Sequence, residues 1–204
     1  MADNSTEKTR LLTSMADILF VPMLFYILTQ WDKLTTWPAR FLWFGLLLLV
    51  KNELITVKDS YRCYSLVLYV LDFFSLLIFL FSVQALTKVV PPYGYNPHFW
   101  YFLAALWFFY AVWDIVMFNK ESDAEQKARL KIWTIYMGLA ATFTLVSAIL
   151  LGQIENDLTS NTNKAIFYSA QVVPGLFIIY AVGCWLMTVK AKFQPINASG
   201  ARSQ

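Results

Sequence analysis

Residues 63–86 read CYSLVLYVLDFFSLLIFLFSVQAL, a run in which Asp72 is the single charged side chain. A helix rises 1.5 Å per residue, so about 20 apolar residues cross the hydrocarbon core of a bilayer. The run is long enough for one crossing. It therefore predicts a membrane-spanning helix.

Five other stretches have a similar length and apolar content. The six predicted spans are 13–31, 37–57, 63–86, 98–118, 132–152 and 165–189. The polar connections between them are short, which leaves no room for a soluble domain. We therefore expect an all-α integral membrane protein with a compact bundle of six transmembrane helices over residues 13–190. The N-terminal tail is 1–12 and the C-terminal tail is 191–204.

The composition supports lipid as the solvent of this chain. Hydrophobic residues make up 58% of the sequence, charged residues 14%, and the mean hydropathy is +0.52. A soluble domain of this size carries about 25% charged residues. The net charge of +3 is small. We expect the lipid bilayer as a partner, and no nucleic acid.

The distribution of Lys and Arg predicts the orientation, because cytoplasmic loops carry an excess of both. Four lie on the side opposite the N-terminus: Lys33, Arg40, Lys88 and Lys164. Eleven lie on the N-terminal side: Lys8, Arg10, Lys58, Arg62, Lys120, Lys127, Arg129, Lys131, Lys190, Lys192 and Arg202. Both termini are therefore predicted to be cytoplasmic, in a plasma membrane or a bacterial inner membrane. Cys63 and Cys184 fall on the cytoplasmic side, so no disulfide is expected.

Aromatic residues lie near the predicted ends of the spans, where amphipathic rings prefer the membrane interface. We expect Tyr93, Tyr95 and Trp100 at the outer interface, and Tyr64 at the inner one. The connection 89–98 (VVPPYGYNPH) is rich in proline and is predicted to be a stiff interfacial loop.

Ionisable residues form a layer in the cytoplasmic half of the bundle, roughly 6–14 Å below the inner surface at 1.5 Å per residue. Four spans contribute to this polar layer, which consists of Asp17, Lys51, Asn52, Glu53, Asp72 and Asp114. A charge at mid-helix costs about 2.5–3.5 kcal/mol on insertion scales, so such groups usually face the bundle interior and pair. Lys51 with Asp17 or Asp72 is the natural ion pair. The alternative is a set of interfacial charges with structural pairing.

Asp72 and Asp114 are the strongest candidates for functional carboxylates, because an interfacial position explains them least well. On the third span, Asp72 shares one face within about 80° with Ser65, Ser75 and Ser82. This polar face either lines a water-filled path or packs against a neighbouring helix. On the fourth span, Trp107 and Tyr110 share a face with Asp114.

The sixth span contains Pro174, with Gln171 one turn before it. A proline inside a helix frees backbone carbonyls and kinks the axis. This break is a candidate hinge or binding site, and close helix packing is the alternative.

These features favour a small channel or transporter that moves an ion, a proton or a small solute, either as one bundle or as a homo-oligomer. The alternative is a non-catalytic membrane subunit that binds another membrane protein. An enzyme is the least supported class, because the sequence has one histidine, His98, and neither an HExxH nor a GxSxG motif. No metal and no cofactor is expected.

Overall fold

The computed structural model describes residues 3–59, 64–91, 93–122, 124–154 and 160–169, and the single positions 172, 175, 176, 179, 182 and 183. The described residues form helices and their connections, without a strand. The helices are α1 (Asp3–Thr29), α2 (Trp37–Asp59), α3 (Leu66–Thr87), α4 (Phe99–Lys120), α5 (Ala124–Ile154) and α6 (161–169). A 3₁₀ turn at Trp31–Lys33 lies between α1 and α2.

The all-α prediction is confirmed, and each of the first five predicted spans coincides with a helix. Among the described residues, three segments are long and apolar enough to cross a membrane: Leu66–Thr87, Phe99–Lys120 and Gln126–Gln153. The described side chains of α2 include a further apolar stretch, Trp37–Val50. The chain is therefore a helical membrane protein with three clear candidate spans in its central part.

Ring contacts between α3 and α4 define how these two helices pack. Phe81 stacks on Phe102 with ring centroids 5.7 Å apart, and Phe74 lies 6.1 Å from Phe109. Phe74 lies seven residues before Phe81 on α3, whereas its partner Phe109 lies seven residues after Phe102 on α4. The two helices are therefore antiparallel. Helix α3 also packs on α1 and α2, and α4 lies between α3 and α5.

The outward faces of α3, α4 and α5 carry large apolar side chains. Phe74, Phe108 and Phe143 are 46%, 60% and 48% exposed. Hydrocarbon chains are as apolar as such side chains, so exposing them to lipid carries no hydrophobic penalty. The exposed faces are therefore consistent with contact to lipid.

Three aromatic rings in and next to the connection between α3 and α4 pack into the protein, although other residues of the connection, such as Lys88 and Val89, are exposed. Tyr93 and Tyr95 are 2% and 0% exposed, and Trp100 is 1% exposed. The Tyr93 hydroxyl donates to the carbonyl of Leu151 at 3.1 Å, and the Trp100 indole donates to the Tyr95 hydroxyl at 3.1 Å. These rings find their polar partners inside the protein, so they need no contact with headgroups.

Candidate functional site around Asp72

Asp72 lies on the buried face of α3, six residues after the first residue of that helix. Its side chain is 0% exposed, and Leu68, Ser75 and Phe79 lie on the same buried face. Burying a carboxyl group is costly unless hydrogen bonds replace its water shell. The partners of Asp72 therefore decide what this group can do.

Tyr64 is the first partner. Its hydroxyl donates a hydrogen bond to Oδ2 of Asp72, and its side chain is 4% exposed. Tyr64 precedes α3, and the next residue, Ser65, has an extended backbone with φ −145° and ψ 168°. The tyrosine is therefore not fixed on the helical surface, and its ring reaches Asp72 across a separation of eight residues. The prediction that Tyr64 lies at the membrane interface did not include this buried contact with Asp72.

The second oxygen of Asp72 has no such partner. Oδ1 is fully buried and accepts no hydrogen bond from the described residues. The indole N–H of Trp113 is close enough to interact with this carboxyl group, although it makes no hydrogen bond of standard geometry with a described residue. One carboxylate oxygen is thus held by Tyr64, and the other accepts no hydrogen bond from the described residues.

Asp114 follows Trp113 and lies six residues before the end of α4. Since α3 and α4 are antiparallel, Asp72 and Asp114 lie within about one helical turn of the same depth, roughly 9 Å from the helix ends. Asp114 is partly exposed and makes no hydrogen bond or ion pair with a described residue. The structure thus places the two carboxylates at similar positions along α3 and α4, and their depth in a membrane stays a prediction.

The serines predicted to share a face with Asp72 do point inward. Ser75 and Ser82 are 2% and 0% exposed, and the Ser65 hydroxyl oxygen is buried. The Ser82 hydroxyl donates to the carbonyl of Ile78 at 2.8 Å, which is a bond within the helix. On α4, Trp107 and Tyr110 are also buried, with their rings edge to face at 6.2 Å.

Several predicted site residues lie outside the part of the chain that the structure describes. This applies to Gln171 and Pro174, and to the side chains of Asp17, Lys51, Asn52 and Glu53. The proposed ion pair of Lys51 with Asp17 or Asp72 therefore stays a prediction. Among the described residues, no group of three or more His, Cys, Asp or Glu side chains is arranged to hold a metal ion.

Sequence reasoning found Asp72 and Asp114 but missed two neighbours of Asp72. Tyr64 was not found because an eight-residue spacing places two side chains of one helix about 12 Å apart along the axis. Trp113 was not found because its contact depends on the rotation of α4 against α3. No pattern in the sequence indicates that Tyr64 or Trp113 lies next to Asp72.

Comparison with known proteins gives no further information on the site. No protein-family model, no curated protein and no solved structure matches the chain.

Proposed function

We propose that this protein is a small multi-pass membrane channel or transporter that moves an ion, a proton or a small solute. In this proposal, Asp72 is the carboxylate that binds the cation or exchanges the proton. Asp114 lies nearer the membrane surface and shapes the electric field at the entrance.

The observation that carries the proposal is the environment of Asp72. A fully buried carboxyl group in a helix able to cross a membrane costs several kcal/mol, and intramembrane ionisable groups usually belong to ion or proton pathways. One oxygen of Asp72 is held by Tyr64, while the other accepts no hydrogen bond from the described residues. A carboxyl group that served only as a structural acceptor would use both oxygens.

The proposed transporter crosses the membrane six times, with both termini in the cytoplasm of the cell whose plasma or inner membrane holds it. Lys33 and Lys88 are then outside and Lys120 is inside, and all three are exposed. Cysteines placed singly at these positions, in a chain without Cys63 and Cys184, test this topology. An impermeant maleimide should label Lys33→Cys and Lys88→Cys in intact cells, and Lys120→Cys after permeabilisation. The reverse pattern would overturn the orientation.

Ion and proton flux into proteoliposomes tests the function. We expect flux with the native protein and none with Asp72→Asn, because the amide has a similar shape but neither binds a cation strongly nor exchanges a proton. Asp32→Asn is the matched control, since Asp32 is an exposed carboxylate in the 3₁₀ turn. Unchanged flux in Asp72→Asn, with native folding, would contradict the proposal.

A second candidate function, a non-catalytic subunit of a larger membrane complex, is favoured by Asp114. This carboxylate has no charged partner among the described residues, and a helix of another membrane protein would supply one. If the protein has this second function, neither the native protein nor Asp72→Asn shows flux. A partner then co-purifies with the native chain from mild detergent and is lost from Asp114→Asn.

A further inference from the structure

The start of α2 lies against the connection between α3 and α4. The Thr36 hydroxyl donates a hydrogen bond to the carbonyl of Gly94 at 2.7 Å. Since α3 and α4 are both candidate spans, the connection between them lies at a membrane surface. Residues in the first turn of α2 therefore lie at that surface too, whatever the orientation of the protein.

Arg40 in this first turn has a fixed guanidinium group. Its Nε donates to the carbonyl of Leu34 at 2.9 Å, which directs the group back towards the 3₁₀ turn. The guanidinium carbon lies 5.3 Å from the centroid of the Trp31 ring and 5.7 Å from that of Trp37. Trp31 is in turn packed on Trp43, with ring centroids 4.9 Å apart. Both cation–π contacts are within the distance at which they stabilise a cation.

The outer edge of this guanidinium group is available to a ligand. Its two terminal nitrogens make no hydrogen bond or ion pair with a described residue. Arg40 is partly exposed, and the rings beside it, Trp31 and Trp37, are 40% and 80% exposed, so solvent or lipid reaches this cluster. A planar guanidinium with free terminal N–H groups matches a phosphate in bidentate geometry.

We propose that Arg40, Trp31 and Trp37 form a binding site for the phosphate of a lipid headgroup. The membrane surface supplies this phosphate at high local concentration, and exposed indole rings prefer the headgroup region. Arg40 makes the charged contact, and the two indoles hold its plane in place and cover the glycerol region of the lipid. Lipid binding at this site does not require the proposed transport activity.

Native mass spectrometry of the purified full chain in detergent tests this site, with phosphatidylglycerol as the probe. Diacylglycerol, which lacks the phosphate, is the comparison lipid. We expect phosphatidylglycerol to bind and Arg40→Gln to weaken its binding by about tenfold or more, as for the loss of charge-assisted hydrogen bonds. Arg40→Lys should also bind less lipid, because it keeps the charge but loses the bidentate geometry.

Lys88→Gln is the matched control, because Lys88 is an exposed cation at the same end of the bundle, at the end of α3. It should bind lipid as the native chain does. Trp37→Ala serves as a second variant in case Arg40→Gln fails to fold, because an 80% exposed ring contributes little to the packed core. It should weaken lipid binding severalfold without changing the thermal midpoint.

Three results would overturn the proposal. Arg40→Gln, or Trp37→Ala in its place, binds the lipid as tightly as the native chain does. Lys88→Gln loses as much binding as Arg40→Gln, which would mean diffuse surface charge. Excess inorganic phosphate displaces the lipid, which would mean a site for free phosphate.

Discussion

The hydroxyl of Tyr64 donates a hydrogen bond to the carboxylate of Asp72, although Tyr64 precedes α3 and Asp72 lies two turns inside it. Both side chains are buried. The bond fixes the segment before α3 against the helix and holds one of the two carboxylate oxygens. Any change that frees Asp72 therefore has to break this contact.

Tyr64→Phe tests this bond. The variant leaves a buried carboxyl group without its donor, so we expect a loss of about 1–3 kcal/mol in stability. Thermal or denaturant unfolding in detergent measures it. Combining Tyr64→Phe with Asp72→Asn should cost less than the sum of the single changes, because each removes the same interaction. Tyr168→Phe, at a 66% exposed ring, is the control and should be close to neutral. Additive losses would mean that the two groups are not coupled.

Gly94→Ala should destabilise the connection between α3 and α4. Gly94 has φ +75°, a conformation that costs other residues about 1–2 kcal/mol. A Cβ atom at this position would also lie 3.0 Å from Oγ1 of Thr36, the atom that bonds the Gly94 carbonyl. The thermal midpoint should fall.

Gly138→Ala is the matched control for this change. Gly138 lies inside α5, and a Cβ atom there meets nothing within 4 Å. Alanine is the better helix former by up to about 1 kcal/mol, so the midpoint should stay or rise. An equal loss in both variants would refute the role of the Gly94 conformation.

Thr144→Val should be neutral or stabilising by about 1 kcal/mol. Thr144 is 0% exposed, and its hydroxyl makes no hydrogen bond with a described residue. Valine has the same shape without the buried polar atom. By contrast, the Ser147 hydroxyl donates to the carbonyl of Phe143 at 2.9 Å, so Ser147→Ala should cost about 0.5–1.5 kcal/mol. Unfolding midpoints of the two variants should therefore move apart, and a loss in Thr144→Val would mean that the hydroxyl is satisfied.

Alkaline pH should destabilise the protein through Tyr95. Burial raises the pKa of this phenol above its ordinary value of 10.0, so the folded chain keeps a proton that the unfolded chain releases. The contribution of protonated Tyr95 to the free energy of unfolding is complete below pH 10. It is lost as pH rises further, by up to about 1.4 kcal/mol per pH unit. Tyr95→Phe should flatten the fall in unfolding midpoint above pH 10. An equal fall in native chain and Tyr95→Phe would contradict this assignment.

The helices were predictable because apolar runs such as 66–87 have no other stable state in lipid. The positions of Asp72 and Asp114 along their helices also followed from the sequence, since a fixed rise per residue converts position into distance along the axis. Both conclusions need local information alone. They do not depend on how the helices are arranged.

Tertiary structure decided which groups meet. Amphipathic rings such as Tyr64 and Tyr95 were predicted at the interface from their place near span ends, and only the structure shows that both are buried and hydrogen-bonded within the protein. Their positions depend on the extended backbone at Ser65 and on the packing of the connection between α3 and α4. The approach of Trp113 to Asp72 likewise depends on how α4 is rotated against α3. Side-chain partners across helices follow from this packing, which local spacing does not encode.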